Sequence, residues 1–370
     1  MLGRVRLVNR MKPVKILVDS FADEGLTNAQ MINAREIVSR LDPDQFSVTM
    51  FVEGKPAPQI SARPNTHLIQ LPGRLQTIPL LTRFLFGPQD ILFYLKASPA
   101  SRWYLKLRSR RYARCATVGT IESQTDWRDE TITPQAIRLF EETILRCDYL
   151  FSNSAMVKRS LEKNYGLTSE IVSTGVDTGF FTPNWDRPAN LKPRVLFVGA
   201  LRAFKGPQVV FEAAHHYPDA DFVVVGDGVM GSELRARAKS LANVEMRGSL
   251  GRTAILEEYR RADIFMFPSH WEGSPRVLME AAASGLPVIA RKDYEPESVI
   301  DGKTGFLVGG DDEMITRLAP LLADSGLRRT LGEAGRSHMA HFSWNVITRQ
   351  WETIFTRVAL EQRKLRRESM

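Results

Sequence analysis

The stretch HWEGSPRVLMEAAASGLPVIA, His270 to Ala290, starts at the exit of one short apolar run, IFMFPS (264–269), and ends inside another, LPVIAR (286–291). Between them, Pro275 to Ser284 is almost wholly apolar and bounded by turn residues, so it reads as a short buried helix. Ser274 suits the N-cap, Pro275 the first helical position and Gly285 the residue past the end. Strand, helix, strand is a βαβ unit, the element of a parallel sheet. Two carboxylates complicate it: Glu272 just before the helix and Glu280 within it. A carboxylate in apolar surroundings is costly unless something pairs with it.

The same alternation extends outward along the chain. In the first half the strand runs are KILVDS (15–20), FSVTMFV (46–52), THLIQL (66–71), DILFYL (90–95), ATVGTI (116–121) and YLFSNS (149–154). Helices are expected over Asn28–Leu41 and Thr133–Cys147. After TPNWDRPANLKP (182–193), whose three prolines read as a linker, the pattern restarts. Its runs are RVLFVGA (194–200), DFVVVG (221–226), VEMRGS (244–249), IFMFPS, LPVIAR and GFLV (305–308), and the tail from Asp311 is helical. The expectation is α/β: two Rossmann-like doubly wound domains, 1–183 and 184–345, with a closing segment 346–370. Such sheets bind ligands beyond the carboxyl ends of their strands, which predicts a site in a cleft between the domains.

At 370 residues, 43% hydrophobic and 25% charged, the chain has the composition of a globular protein, with no apolar run long enough to span a bilayer. The basic N-terminus lacks a signal-peptide core, and Cys115 and Cys147 form neither a disulfide framework nor a zinc spacing. A cytoplasmic location is expected. The net charge of +8 points to an anionic partner. Seven Lys or Arg residues and no acid lie between Lys96 and Arg114, interleaved with Trp103, Tyr104, Leu105, Leu107 and Tyr112. Trp103–Arg114 can be a basic amphipathic helix, which suits the anionic inner face of a cell membrane. A solvated helix face is the plainer reading, and nucleic acid is not expected as a partner.

The start of the 275–284 helix presents free N–H groups and a positive dipole end, which favours a phosphate. Gly273 leaves room for close approach to the backbone. Glu280 can accept two hydrogen bonds from a vicinal diol such as a ribose, or it can pair with Arg276 four residues earlier. Other patterns are weaker. Gly226–Gly231 matches G-x-G-x-x-G after a strand, but at the second βα turn of its domain rather than the first, where a dinucleotide fingerprint belongs. Asp42-Pro-Asp44 and Asp219-Ala-Asp221 fall between helices and strands and read as turns. His338 and His341 lack further zinc ligands nearby.

The stretch EGSPRVLMEAAASGLPVIA resembles the E-x(7)-E signature of retaining glycosyltransferases of the GT-B fold, family 4. VLFVGALRAFKGPQVVFEA resembles that family's strand and phosphate loop. VVVGDGVMGSEL, NVEMRGSL, YRRADIFMFPS and ESVIDGKTGFLV follow in the family's order. IVSTGVDTGFFTP is similar to its interdomain segment, with Thr174 where Asn is usual. The resemblance covers roughly residues 149 to 355. It implies that Glu280 holds the donor's ribose, Glu272 the donor sugar, and Lys205 with Gly206 the diphosphate. Gly199, Gly226, Gly248, Gly273, Ser274, Pro275 and Arg276 complete the implied donor set. Ala200 stands where many members carry Arg, and Arg202 is the substitute cation. In the first domain, Gly25 stands where many members have a Gly-Gly pair. Glu122 lies where many place a sugar-contacting His, or is simply an exposed loop residue. Ser343–Leu360 is expected to cross back to the first domain.

The function implied is metal- and cofactor-independent transfer of a sugar, with retention, from a nucleotide diphosphate sugar to a glycan or lipid-linked acceptor. Cell-surface glycan or glycolipid assembly is the expected setting. The alternatives are a sugar-nucleotide epimerase of the same fold, a nicotinamide oxidoreductase using the 226–231 glycines, and a non-catalytic binding subunit.

Overall fold

A computed structural model describes residues 12–25, 28–72, 76–108, 115–129 and 131–368. The apolar runs form the strands. The first sheet contains β1 (Val14–Phe21), β2 (Phe46–Val52), β3 (Thr66–Gln70), β4 (Ile91–Phe93), β5 (Ala116–Ile121), β6 (Tyr149–Ser152) and β7 (Glu170–Ile171). The second contains β8 (Arg194–Val198), β9 (Asp221–Val225), β10 (Val244–Gly248), β11 (Ile264–Phe267), β12 (Val288–Arg291) and β13 (Gly305–Val308). Their orders are β3-β2-β1-β4-β5-β6-β7 and β10-β9-β8-β11-β12-β13. Pairing is parallel from β3 to β5 and throughout the second sheet. Strands such as β8, β9 and β11 are apolar along their length because helices cover both faces. The strand order reverses between β1 and β4 and again between β8 and β11, the positions at which open parallel sheets hold ligands.

Two compact units result. One comprises the chain up to Thr120, Thr133–Phe151 and the chain from Thr348; the other comprises Ile121–Ile132 and Ser152–Ile347. Residues 152–183, expected with the first domain, therefore pack in the second unit, and the proline-rich 182–193 segment lies inside it. The physical reason is local. Arg187 pairs with Asp263, and the Arg329 guanidinium sits 4.1 Å over the Trp185 ring. Trp185 also fills space left by Gly285, where a Cβ would come within 2.3 Å of the indole. Here the prolines mark irregular surface backbone.

The last helix, Trp344–Glu368, belongs to the first unit from Thr348 onward. Trp351 packs at 4.8 Å from Phe93 and 5.0 Å from Phe151, and Glu352 accepts from the Asp42 N–H at 2.7 Å. In the same unit the helix Pro99–Leu107 packs on the helix Thr77–Phe86 through Tyr104 and Phe84, 5.8 Å apart. The helix expected over Trp103–Arg114 instead runs from Pro99, behind the Ser98 cap, to Leu107, and Arg108 after it is extended; residues 109–114 lie outside the described residues. Among the described residues no helix is long and apolar enough to cross a membrane.

Candidate active site

The site in the second unit is built at the exits of β8 and β11. After β8 the chain makes a single turn, Ala203–Lys205, closed by Gly206 at φ +64°. A side chain at Gly206 would stand 2.7 Å from the Pro268 carbonyl, so glycine allows this turn to lie against the β11 exit. The His270 N–H donates to the Phe204 carbonyl at 2.8 Å and locks the two loops together. Lys205 is thereby brought to Glu272: Nζ donates to Oε1, which also accepts from Ser269 Oγ at 2.7 Å. Both partners are largely buried. The ammonium also lies 5.1 Å from the Phe204 ring centre and 5.6 Å from that of Phe267.

The helix Arg276–Ala283 follows. Its cap is Pro275, not Ser274, and no side chain caps the first amides. Pro275 has a helix-compatible φ of −72° but an extended ψ of 114°, so the extended-to-helical transition falls one residue later than the sequence pattern suggests. At the other end Gly285 adopts the expected left-handed conformation, φ +79°. Arg336 donates to the Ala283 carbonyl at 2.7 Å. Leu278, Met279 and Ala281–Ala283 are buried in the core of the unit. Glu280 is 8% exposed, yet both its oxygens are occupied. Oε1 accepts from Arg276 Nη2 at 3.1 Å, and Oε2 from the Tyr259 hydroxyl at 3.3 Å. Burial pushes the Tyr259 phenol well above its ordinary pKa, and the Glu280 charge adds to the effect. The phenol therefore keeps its one proton, which faces both the carboxylate and the Val277 carbonyl, also at 3.3 Å.

Gly273 has a different role from the one its position suggests. A Cβ there would meet the Glu122 carbonyl at 2.2 Å, so its small size accommodates protein backbone. That carbonyl accepts from Asn153 Nδ2 at 3.1 Å. The segment carrying Glu122 makes further contacts with the site loops. Gln124 Nε2 donates to the Glu272 carbonyl at 2.8 Å, and Trp271 Nε1 donates to Asp126 at 2.6 Å. Arg202 pairs with Asp129 at 2.7 Å and donates to Thr131 at 3.1 Å. Burial would raise the Asp129 carboxyl, but Thr131 and Arg202 hold it below its usual range.

The glycines after β8 and β9 are likewise explained by packing. At Gly226, φ +131°, a Cβ would fall 1.9 Å from the Gly199 carbonyl; at Gly228 it would fall 2.6 Å from that of Leu201. The dinucleotide-like spacing comes from two backbone loops crossing. Gly248 needs its left-handed φ of +65° but has open space around it. Gly25, in the first unit, is exposed at the β1 exit, next to two residues outside the described set. The structure thus brings Lys205, Glu272, Gly273–Arg276 and Glu280 together. Gln124, Ser269, Tyr259 and Asp129 are members that sequence reasoning missed. Ser269 had a signal in its place three residues before Glu272; Tyr259 opens the YRRADIFMFPS run without a pattern of its own, and Gln124 and Asp129 reach the site from distant segments. The described residues contain no group of three or more His, Cys, Asp or Glu able to hold a metal ion.

Comparison with solved structures identifies the class as the GT-B fold. Sucrose-phosphate synthase from Thermosynechococcus elongatus aligns with a TM-score of 0.74 at 20% identity, covering 94% of this chain and 99% of that one. Anabaena HepE, solved in complex with UDP-glucose, aligns with a TM-score of 0.70 at 18% identity, covering 92% and 99%. At such identities the likeness speaks to the fold alone. Residues 165–338 match the family model of the glycosyl transferases group 1. The D-inositol 3-phosphate glycosyltransferase of Corynebacterium diphtheriae is 30% identical over 264 residues, 62% of this chain and 61% of the relative. That of Corynebacterium jeikeium is 33% identical over 243 residues, 57% and 58%. The chain thus matches about three fifths of the length of these curated relatives.

Proposed function

We propose that this chain is a retaining glycosyltransferase, transferring a sugar from a nucleoside diphosphate sugar to an acceptor hydroxyl without a metal ion. One observation carries the reading: Lys205 and Glu272 meet beside an uncapped helix start, with Glu280 held by Arg276 and Tyr259 farther along the same helix. The arrangement suits a diphosphate at the helix amides, the ribose at Glu280 and the donor sugar at Glu272. The glycosyl transferases group 1 family model, matched over residues 165–338, and a like fold solved with UDP-glucose support it.

Binding would then exchange partners. Lys205 turns from Glu272 to the diphosphate, and Glu272 accepts from sugar hydroxyls instead. As the bond from the anomeric carbon to phosphate oxygen breaks, negative charge accumulates on the leaving diphosphate, where a fixed cation stabilises it most. The acceptor oxygen bonds to the anomeric carbon on the same face, and its proton passes to a leaving phosphate oxygen. No enzymic nucleophile is required. Glu122 and Arg202 belong to the reading as supports: the first through its backbone at Gly273, the second as a cation currently held by Asp129. A glycan or lipid-linked acceptor in cell-surface glycan or glycolipid assembly, reached from the cytoplasmic side, fits the basic, aromatic-bearing segment 96–108.

The test is a thermal-shift screen of nucleoside diphosphates and their sugars, followed by donor turnover in EDTA. A ligand at one hundred times its dissociation constant stabilises by about 2.7 kcal/mol. The expected result is stabilisation by one nucleotide class and slow, EDTA-resistant donor hydrolysis with the anomeric configuration retained. Epimerised donor, or turnover that needs added magnesium or manganese, would overturn it.

A further inference from the structure

The amino ends of β1 and β4 lie at the edge of the first sheet that parallel sheets do not ordinarily use for ligands. A cavity of about 590 Å³ nevertheless opens there, lined by Lys12, Lys15, Asp90, Leu360, Arg363 and Lys364, all in the first unit. That volume is in the range of small-molecule sites. Strand pairing fixes its floor. The Asp90 N–H donates to the Lys15 carbonyl at 2.8 Å, and the Lys15 N–H donates back to an Asp90 carboxylate oxygen at 3.1 Å. The same oxygen accepts from Arg363 Nη2 at 3.1 Å, which ties the last helix to the strand ends. Leu360, Arg363 and Lys364 stand three and four residues apart, so they share one face of that helix.

The charge of the cavity is one-sided. Among the described residues four cations line it, against the single carboxylate of Asp90. The Lys12 and Lys15 side chains are exposed and form no hydrogen bond or ion pair with a described residue, and Arg363 engages Asp90 through Nη2 alone. Cations gathered without counter-charge repel one another, and an anion among them relieves the repulsion. Ammonium and guanidinium donors together match the oxygens of a phosphoryl group. The wall is not polar throughout. Leu360 is 48% exposed, and the exposed Pro13 and Pro88 line the same cavity, so an apolar surface lies beside the cations. A bare anion would leave that surface unused. A nucleotide is disfavoured, because no aromatic side chain among the lining residues can stack a base.

We propose that this cavity binds a phosphate ester with an apolar substituent. Lys12, Lys15, Arg363 and Lys364 meet the phosphoryl oxygens, and Leu360 with the two prolines meets the carbon chain. A phospholipid headgroup and a soluble alkyl phosphate share this chemistry, and the site does not depend on the glycosyltransferase reading. The test is calorimetric titration of the full chain with inorganic phosphate, hexyl phosphate and dihexanoyl phosphatidic acid below its micelle concentration. Hexyl phosphate should bind more tightly than inorganic phosphate. Its affinity should fall about tenfold in Lys15→Met, the loss of one charge-assisted contact, and further when Arg363→Met is added. In Leu360→Ser it should lose its advantage over inorganic phosphate. Lys15→Met keeps the backbone bonds to Asp90, so its melting temperature should match wild type. Tighter binding of phosphatidic acid than of hexyl phosphate assigns the cavity to a lipid headgroup, and the reverse order assigns it to a soluble ester. The proposal is overturned if hexyl phosphate does not bind, if hexyltrimethylammonium binds as well, or if the double variant binds like wild type. Displacement by a nucleoside diphosphate would also overturn it, by placing the ligand in the second unit's site. So would a melting temperature that falls with affinity in Lys15→Met, which would mark the lysine as structural. Failure of the glycosyltransferase reading would show separately, as absence of nucleotide binding with hexyl phosphate binding intact.

Discussion

The exits of β8 and β11 and the exits of β1 and β4 are equivalent places in two sheets of the same design, yet their charges are managed differently. In the second unit each described cation of the site has a carboxylate: Lys205 has Glu272, Arg276 has Glu280 and Arg202 has Asp129. In the first unit the Lys96 ammonium has no such contact, and one oxygen of Asp19 is unused. A paired site is stable without ligand and must exchange partners when ligand arrives. An unpaired one leaves its charges less stabilised. Substitutions should therefore cost more stability in the second unit than in the first.

The largest effect is expected at Lys205. Lys205→Ala should lower turnover by about 10²–10³, the range for removing one preorganised group that stabilises developing negative charge. Donor affinity should fall less, because the leaving group is most negative in the transition state. The same substitution leaves Glu272 buried with only Ser269 on that oxygen, so the melting temperature should also drop. Steady-state kinetics with a melting curve measures both. A change confined to the Michaelis constant would reduce Lys205 to ground-state binding.

Glu280 comes next. Glu280→Gln should weaken nucleoside diphosphate binding about ten- to hundredfold, from lost charge-assisted hydrogen bonds worth roughly 1.5–3 kcal/mol each. Because Arg276 and Tyr259 already occupy its oxygens, Arg276→Met is the needed companion. If Glu280 serves the ribose, Glu280→Gln lowers affinity more than Arg276→Met does. If both variants lower only the melting temperature, the helix pair is structural.

How much of this could be read in the sequence depends on distance along the chain. Strands buried on both faces, such as Asp221–Val225, show as continuous apolar runs, so every strand but β7 was legible from the run pattern; β7 is two exposed residues with no apolar run of its own. Glu272 and Glu280 were legible because a carboxylate beside Leu278 and Met279 requires a reason. Asp126, Asp129 and Gln124 were not, since they reach the site from more than a hundred residues upstream of Glu272 and carry no local pattern. Glycines were the ambiguous signal. Gly226 and Gly273 look like ligand loops, whereas the space they leave is filled by the carbonyls of Gly199 and Glu122. A glycine reports close approach but not what approaches.

In the first unit, Lys96→Met should lower stability less than Lys205→Ala does, since Lys96 makes no direct contact with a carboxylate, although its charge favours the buried Asp19 carboxylate. Chemical denaturation measures this. A loss as large as that for Lys205→Ala would mean that the two clusters are built alike after all.

The smallest effects are expected on the surface of the first unit. Ile78 and Phe86 on the helix Thr77–Phe86 are each 72% exposed, and Trp103 and Leu107 on the neighbouring helix are 46% and 51% exposed. Lys106 lies beside Trp103, its ammonium 5.9 Å from the indole centre. Large exposed side chains on two packed helices, together with cations, suit the headgroup region of an anionic bilayer. Arg108, in the same basic run, does not take part, because it is held by Asp148 at 2.8 Å. Burial lowers its pKa, but the hydrogen bonds to Asp148 raise it further, so it remains a structural cation. Each surface cation contributes about 1 kcal/mol to such binding, roughly a fivefold change in affinity. Co-sedimentation with vesicles containing anionic lipid should therefore fall about fivefold for Lys106→Ser, fall further for Phe86→Ser with Trp103→Ser, and weaken with salt. Vesicles of neutral lipid should bind poorly. Equal binding to both vesicle types, or none to the anionic ones at low salt, would leave these helices as ordinary surface and favour a water-soluble acceptor.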